Sequence, residues 1–193
     1  MLIKIIENFI TEEDANTLIN EIRQPSEINP YPEYYKNRNG GTAFPYNNTV
    51  MSILKKYAKI ANQVQKEFFN LDKDVIVTKS FGSGWVPGTS GAPHIDAIEK
   101  EPFIEYSTVI YLNDEYEGGE IYFPKQGFSQ KAKKYSAIFF PGNDLQYIHG
   151  VKEVTSGNRY TALYMQSTKK EFEDPDFSEE NNAATLSSRS GIL

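Results

Sequence analysis

Only two histidines occur in this chain of 193 residues, and each lies in a pattern that can bind a metal. His94 opens the tripeptide His94-Ile95-Asp96, and His149 stands far downstream, shortly before Arg159. In an extended segment, residues i and i+2 point to the same side. His94 and Asp96 can therefore face one ion while Ile95 points into packing. Two imidazoles and one carboxylate occupy a single face of an octahedral metal and leave the opposite face open. This is the 2-His-1-carboxylate arrangement by which non-haem Fe(II) oxygenases hold iron without saturating it. Arg159 belongs to the strand-like run Arg159-Tyr160-Thr161-Ala162-Leu163-Tyr164-Met165. An arginine on the inward face of such a strand needs an anionic partner, and its planar fork of donors suits a carboxylate gripped bidentately. Each residue alone has a plainer reading: a surface or satisfied core histidine, an exposed arginine. Their combination favours the metal reading.

With these residues in place the sequence resembles the Fe(II)/2-oxoglutarate-dependent dioxygenases, in their prolyl 4-hydroxylase-like branch, over residues 1–167. The resemblance runs in order through Ile6-Glu7-Asn8-Phe9-Ile10-Thr11-Glu12-Glu13, His94-Ile95-Asp96, Val109-Ile110-Tyr111-Leu112-Asn113, Gly118-Gly119-Glu120-Ile121-Tyr122-Phe123-Pro124, Ala137-Ile138-Phe139-Phe140-Pro141, His149-Gly150-Val151 and Gly157-Asn158-Arg159-Tyr160. Arg159 stands where animal collagen-type members carry lysine, while arginine is usual in bacterial, viral and oxygen-sensing members. The resemblance implies an α+β, mainly β fold: a distorted double-stranded β-helix, jelly-roll or cupin-like, with supporting N-terminal helices. It implies Fe(II) bound by His94, Asp96 and His149, with 2-oxoglutarate as co-substrate, O2 as oxidant and ascorbate as an accessory reductant. Arg159 would grip the far carboxylate of 2-oxoglutarate and Tyr111 would set its hydroxyl beside it. Thr161 could add a hydroxyl contact, Trp85 could wall the pocket or pack in the core, and Ile121 could form an apolar wall. The implied activity is that of a procollagen-proline 4-dioxygenase-like hydroxylase acting on a prolyl residue of a protein or peptide, with release of succinate and CO2. The same chemistry on a free amino acid or small metabolite is the first alternative, and a catalytically silent metal-binding barrel is the second.

Composition bounds the remaining classes. The length suits one domain with a substantial core. With 39% hydrophobic residues, 13 tyrosines and 12 phenylalanines the chain reads as globular and strand-rich. The absence of cysteine excludes disulfides, thiolate nucleophiles and iron–sulfur ligation, and fits a cytoplasmic setting. No apolar run approaches the ~20 residues needed to cross a membrane, and Met1-Leu2-Ile3-Lys4-Ile5-Ile6 reads as a first strand rather than a signal peptide. The net charge of −6 argues against nonspecific nucleic-acid binding. Half of that charge lies in residues 168–193, which are polar and read as an acidic tail outside the domain.

The elements that must position the site follow from periodicity. Thr11 before Glu12, Glu13 and Asp14 starts a helix, with Ile10 packing back as a staple and Ala15, Leu18, Ile19 and Ile22 as its apolar stripe; Pro25 marks its end. Residues 26–48 read as a long loop. Within it, Tyr35 to Thr42 is either an ordinary polar connection or, as the resemblance implies, a mobile segment near the peptide groove. Thr49 can cap a second helix carrying Val50, Ile53, Leu54, Tyr57, Ile60, Ala61, Val64 and Phe68 to the core. From Val75 onward the pattern changes to short strands: Val75 to Val77, Phe103 to Leu112, Glu120 to Phe123, Tyr135 to Phe140 and Arg159 to Met165. Breaks fall at Gly82-Ser83-Gly84, Asn113-Asp114, Gly118-Gly119, Pro141-Gly142 and Ser156-Gly157-Asn158. Lys125, Lys131, Lys133 and Lys134 form either a solvated face or an attraction for acidic partners.

Overall fold

The computed structural model describes residues 1–23 and 47–178. Helix α1 spans Glu12–Arg23, and the Thr11 hydroxyl accepts from the Asp14 amide at 3.2 Å. Ile10, Ala15, Leu18, Ile19 and Ile22 are buried, as the periodicity predicts. Helix α2 spans Asn48–Phe68 and is capped by Asn47, whose side chain accepts from the Val50 amide at 2.8 Å, instead of by Thr49. The cap moves two residues upstream because an asparagine oxygen satisfies the same orphan amide. On α2, Val50, Ile53, Leu54, Tyr57, Ala58, Ala61 and Gln65 are buried, while Ile60 is 44% exposed. Ile60 is thus a correction: the buried stripe passes through Ala58 and Ala61 instead. The predicted end of α1 at Pro25 and the segment from Tyr35 to Thr42 lie outside the described residues.

Among the described residues, eleven strands follow the order β1 (Lys4–Ile6), β2 (Ile76–Trp85), β3 (Gly91–His94), β4 (Tyr106–Tyr111), β5 (Tyr116–Gly118), β6 (Ile121–Phe123), β7 (Phe128–Gln130), β8 (Ala137–Pro141), β9 (His149–Val151), β10 (Val154–Gly157) and β11 (Arg159–Ser167). A five-stranded sheet runs β1-β8-β4-β11-β2, a four-stranded sheet runs β3-β9-β6-β7, and β10 pairs with β5. Every pairing is antiparallel, and most neighbours are distant in sequence, as in a jelly roll.

Alternation along the central strands splits the core into two layers. Ile110 and Leu112, Ala137 and Phe139, and Tyr160, Ala162 and Tyr164 pack outward with the two helices. Val109 and Tyr111, with Ile138 and Phe140, point inward and meet Ile121, Phe123 and Tyr147. The inward face of β11 therefore carries Arg159, Thr161 and Leu163. Residues 82–84, read as a break, instead continue β2 in register with Ala162, Thr161 and Tyr160 of β11. Glycine there serves close packing: a Cβ on Gly84 would stand 2.9 Å from Ile22 Cγ2 and 3.1 Å from the Tyr160 ring. β4 begins at Tyr106, not Phe103, because Ile104 donates to the Glu101 carbonyl in a turn. β8 begins at Ala137, since Tyr135 adopts φ 65°, a left-handed conformation no strand accommodates.

Beyond β11, residues 168–178 pack along the domain. Glu105 Oε2 accepts from the Thr168 amide at 2.6 Å, from its hydroxyl at 2.7 Å and from Ser167 at 3.1 Å. Phe172 stacks on Phe103 with centroids 4.3 Å apart, and the Asp174 amide donates to the Val77 carbonyl. Lys131, Lys133 and Lys134 pair with Glu117, Glu7 and Glu115, so this lysine face is largely charge-compensated. No helix among the described residues is long and apolar enough to cross a membrane.

Candidate metal and co-substrate site

His94 ends β3 and His149 opens β9, and these two residues stand opposite each other in the antiparallel pair. Their rings lie 4.6 Å apart, centroid to centroid. Asp96 follows in the turn after β3, where its amide and that of Ala97 both donate to the Gly142 carbonyl, at 2.9 and 3.0 Å. The carboxylate falls between the rings: Oδ1 is 3.4 Å from His94 Nε2 and Oδ2 is 3.6 Å from His149 Nε2. One ligand atom from each of the three lies within 4.8 Å of the others, an arrangement that could hold a metal ion.

Neighbouring groups orient this set. His94 Nδ1 approaches the Ala92 carbonyl at 2.8 Å, and His149 Nδ1 approaches the Tyr147 carbonyl at 3.2 Å. A carbonyl only accepts, so each Nδ1 carries the proton and each Nε2 turns its lone pair inward. Burial lowers the pKa of His149, reinforced by His94, and Asp96 and the Tyr147 carbonyl only partly offset this. Burial alone would raise Asp96, but its polar neighbours, the His94 and His149 imidazoles and the Ser107 hydroxyl, outweigh it and hold the carboxyl below its ordinary value. Both shifts favour the protonation states a metal requires. His94, unlike its two partners, keeps 52% of its side chain exposed, so the centre is reachable from the surface of the described residues.

A second cluster gathers around the start of β11. Arg159 starts β11 opposite Trp85 and is 3% exposed. Its guanidinium carbon stands 5.3 Å from the centre of the Trp85 ring and 5.2 Å from that of Tyr111. No carboxylate among the described residues pairs with it, and its Nε has no hydrogen-bond partner. Thr161 pairs across β11 with Tyr111 on one side and Ser83 on the other. The hydroxyls of Tyr111, Tyr116 and Thr161 are all buried and without partners. Burial pushes Tyr111 up to about 12 and raises Tyr116 as well, although Arg159 pulls both the other way. Both phenols therefore keep their protons near neutrality and are available as donors.

Trp85 also reaches β3, since a Cβ on Gly91 would stand 3.1 Å from its ring. The tryptophan thus bridges the strand that delivers His94 and the arginine. Ile121, on β6, is buried in the interior cluster with Tyr111. Tyr116 is the residue that the sequence does not single out. It is one of 13 tyrosines, and its only signal is its position before Gly118-Gly119. Gly119 adopts φ +68°, and a Cβ there would stand 3.0 Å from the Tyr116 ring and 3.1 Å from Arg159 Cδ. The glycine lets the two side chains meet.

Solved structures share this fold. A viral collagen prolyl hydroxylase from Paramecium bursaria Chlorella virus-1, in complex with 2-oxoglutarate, superimposes with a TM-score of 0.62 at 20% identity, covering 86% of this chain and 95% of that one. A Pseudomonas putida prolyl 4-hydroxylase superimposes with a TM-score of 0.59 at 14% identity, covering 86% and 92%. A 2OG-Fe(II) oxygenase family oxidoreductase from Burkholderia pseudomallei gives 0.56 at 18% identity, covering 68% and 62%. The fold is that of the 2-oxoglutarate–Fe(II) oxygenases. It is the double-stranded β-helix that the resemblance implies, shared with prolyl hydroxylases. No protein-family model matches the sequence, and no curated protein sequence matches it.

Proposed function

We propose that this protein is an Fe(II)- and 2-oxoglutarate-dependent dioxygenase that hydroxylates a C–H bond of a prolyl residue in a protein or peptide. One observation carries the reading: a buried arginine without a carboxylate partner lies in the same barrel as a His-Asp-His set. An unpaired buried cation is costly, and so are three unpaired buried hydroxyls. The residues fit a dianionic chelator that reaches from the metal to the arginine. His94, Asp96 and His149 would hold the iron, and Arg159, Tyr111, Tyr116 and Thr161 would supply donors to the far carboxylate.

When bound, iron would activate O2 as the oxidant, with two of its four electrons supplied by 2-oxoglutarate, which leaves as succinate and CO2, and two by the C–H bond that becomes the new hydroxyl. The chain's own contribution is placement. Carbonyl-anchored histidines fix the direction of two donors, and Asp96 stays ionised. The protonated phenols donate to a carboxylate without competing for its charge. Val109, Ile121, Phe123, Ile138 and Phe140 exclude water from the inner wall.

The prolyl assignment is supported by the names of the solved neighbours. It is also supported by the exposure of His94, which suits a residue presented on a polypeptide better than a fully enclosed metabolite. Ascorbate would serve as the reductant that rescues oxidised iron. The test is 2-oxoglutarate turnover with a proline-containing peptide, with free proline as control and mass spectrometry of the peptide. Coupled turnover and a gain of one oxygen on the peptide support the proposal. Oxygen added to free proline but not to the peptide overturns the polypeptide assignment.

A further inference from the structure

Ser107 lies on the inward face of β4 and is buried. Its hydroxyl donates to Asp96 Oδ2 in a short hydrogen bond. A hydroxyl has one proton, and its other neighbour, the Met165 sulfur at 3.6 Å, is a much weaker acceptor than a carboxylate. Ser107 itself is held from behind, because the buried Gln65 amide on α2 donates to its carbonyl at 3.0 Å. Gly142, whose carbonyl clamps the Asp96 turn, leaves the space the hydroxyl occupies: a Cβ there would stand 2.8 Å from Ser107 Oγ.

We propose that Ser107 is a positioning residue that ties up Asp96 Oδ2 and so keeps the carboxylate monodentate toward a metal held by His94, Asp96 and His149. The inference rests on the iron and 2-oxoglutarate reading above. An octahedral ion bound by three protein donors keeps three positions, two for the chelating co-substrate and one for O2. A carboxylate free to turn both oxygens toward the ion removes one of them. Oδ1, which faces His94 Nε2, is left as the donor.

The experiment measures Mn(II) affinity by electron paramagnetic resonance, and 2-oxoglutarate affinity of the Fe(II)-loaded protein by anaerobic titration of the visible charge-transfer band. Wild type, Ser107→Ala, Ser107→Thr and Gly142→Ala are compared. Ser107→Ala is expected to hold Mn(II) at least as tightly as wild type while binding 2-oxoglutarate about 10-fold more weakly. Ser107→Thr restores the wild-type values. Gly142→Ala, which crowds the hydroxyl off Asp96, reproduces the alanine result with the serine still present, and it carries the test should Ser107→Ala fail to fold. Wild-type co-substrate affinity in both Ser107→Ala and Gly142→Ala overturns the proposal. So does a parallel loss of Mn(II) and 2-oxoglutarate binding, which marks a merely structural role. No band in the wild type overturns the iron reading beneath it, a different result from a wild-type band that survives substitution unchanged.

Discussion

Replacing Arg159 with methionine should stabilise the ligand-free protein and abolish its response to 2-oxoglutarate. Arg159 is 3% exposed and has no carboxylate partner among the described residues. Burying an uncompensated charge costs several kcal/mol after relaxation. The Trp85 and Tyr111 faces at 5.3 and 5.2 Å return part of that, at most about 2 kcal/mol each. An unbranched apolar side chain in the same space should therefore gain roughly 1–3 kcal/mol. At 2–4 °C per kcal/mol for a chain of this size, the melting temperature should rise by about 2–12 °C. The ligand response has the opposite sign. Mn(II)-loaded wild type with 2-oxoglutarate at 100 times its Kd should gain about 2.7 kcal/mol. Losing the buried charge partner of a carboxylate costs about 3–5 kcal/mol, so Arg159→Met should bind at least about 100-fold more weakly and show no shift at that concentration. Thermal melts of both proteins, with Mn(II) in place of iron to prevent turnover, read both effects. A ligand-free variant that melts below wild type, or one that keeps the 2-oxoglutarate shift, would refute the reasoning.

Tyr116→Phe removes one unpartnered hydroxyl. It should weaken 2-oxoglutarate binding by about 10- to 100-fold, the worth of one hydrogen bond to a charged group, without lowering ligand-free stability; isothermal titration calorimetry against Mn(II)-loaded protein checks this. His149 has a folded pKa below its ordinary 6.5, so the unfolded chain binds the extra proton first as the pH falls. The stability present above pH 6.5 is then lost as the pH drops from 6.5 through the folded value. His149→Phe, among the rings of Phe123 and Phe140, should remove that slope from melts of the metal-free protein, and a slope that persists in the variant contradicts the assignment. Glu105→Gln loosens the clasp on Ser167 and Thr168. It should cost about 1–2 kcal/mol, discounted for partial exposure, or roughly 2–8 °C in melting temperature. An unchanged melt would mean that residues 168–178 add nothing to the domain.

Much of this site is legible in the sequence because its pieces obey strict periods. His94 and Asp96 share a face two residues apart, and Arg159, Thr161 and Leu163 share another by the same two-residue period. The 3.6-residue stripe in α1 is equally plain. What the sequence does not reveal depends on contacts between distant segments. Gly82-Ser83-Gly84 reads as a break because local propensity says nothing of Ile22 and Tyr160, which pack so closely that only a glycine fits. Ile60 fits an apolar stripe on α2 but faces solvent, since the helix rolls its alanines onto the sheet. Ser107 and Tyr116 are ordinary strand residues until the fold brings Asp96 and Arg159 beside them. Short strands such as β5, β7 and β10 owe their existence to a partner strand more than to their own composition.

The most direct test is an anaerobic titration of the Fe(II)-loaded protein with 2-oxoglutarate, following the visible metal-to-ligand charge-transfer band. The account predicts that the band appears and saturates, and that it is lost in Asp96→Ala because the ion is no longer held. Fully loaded iron that gives no band with 2-oxoglutarate would contradict the oxygenase assignment and leave a barrel whose His-Asp-His set binds metal to another end.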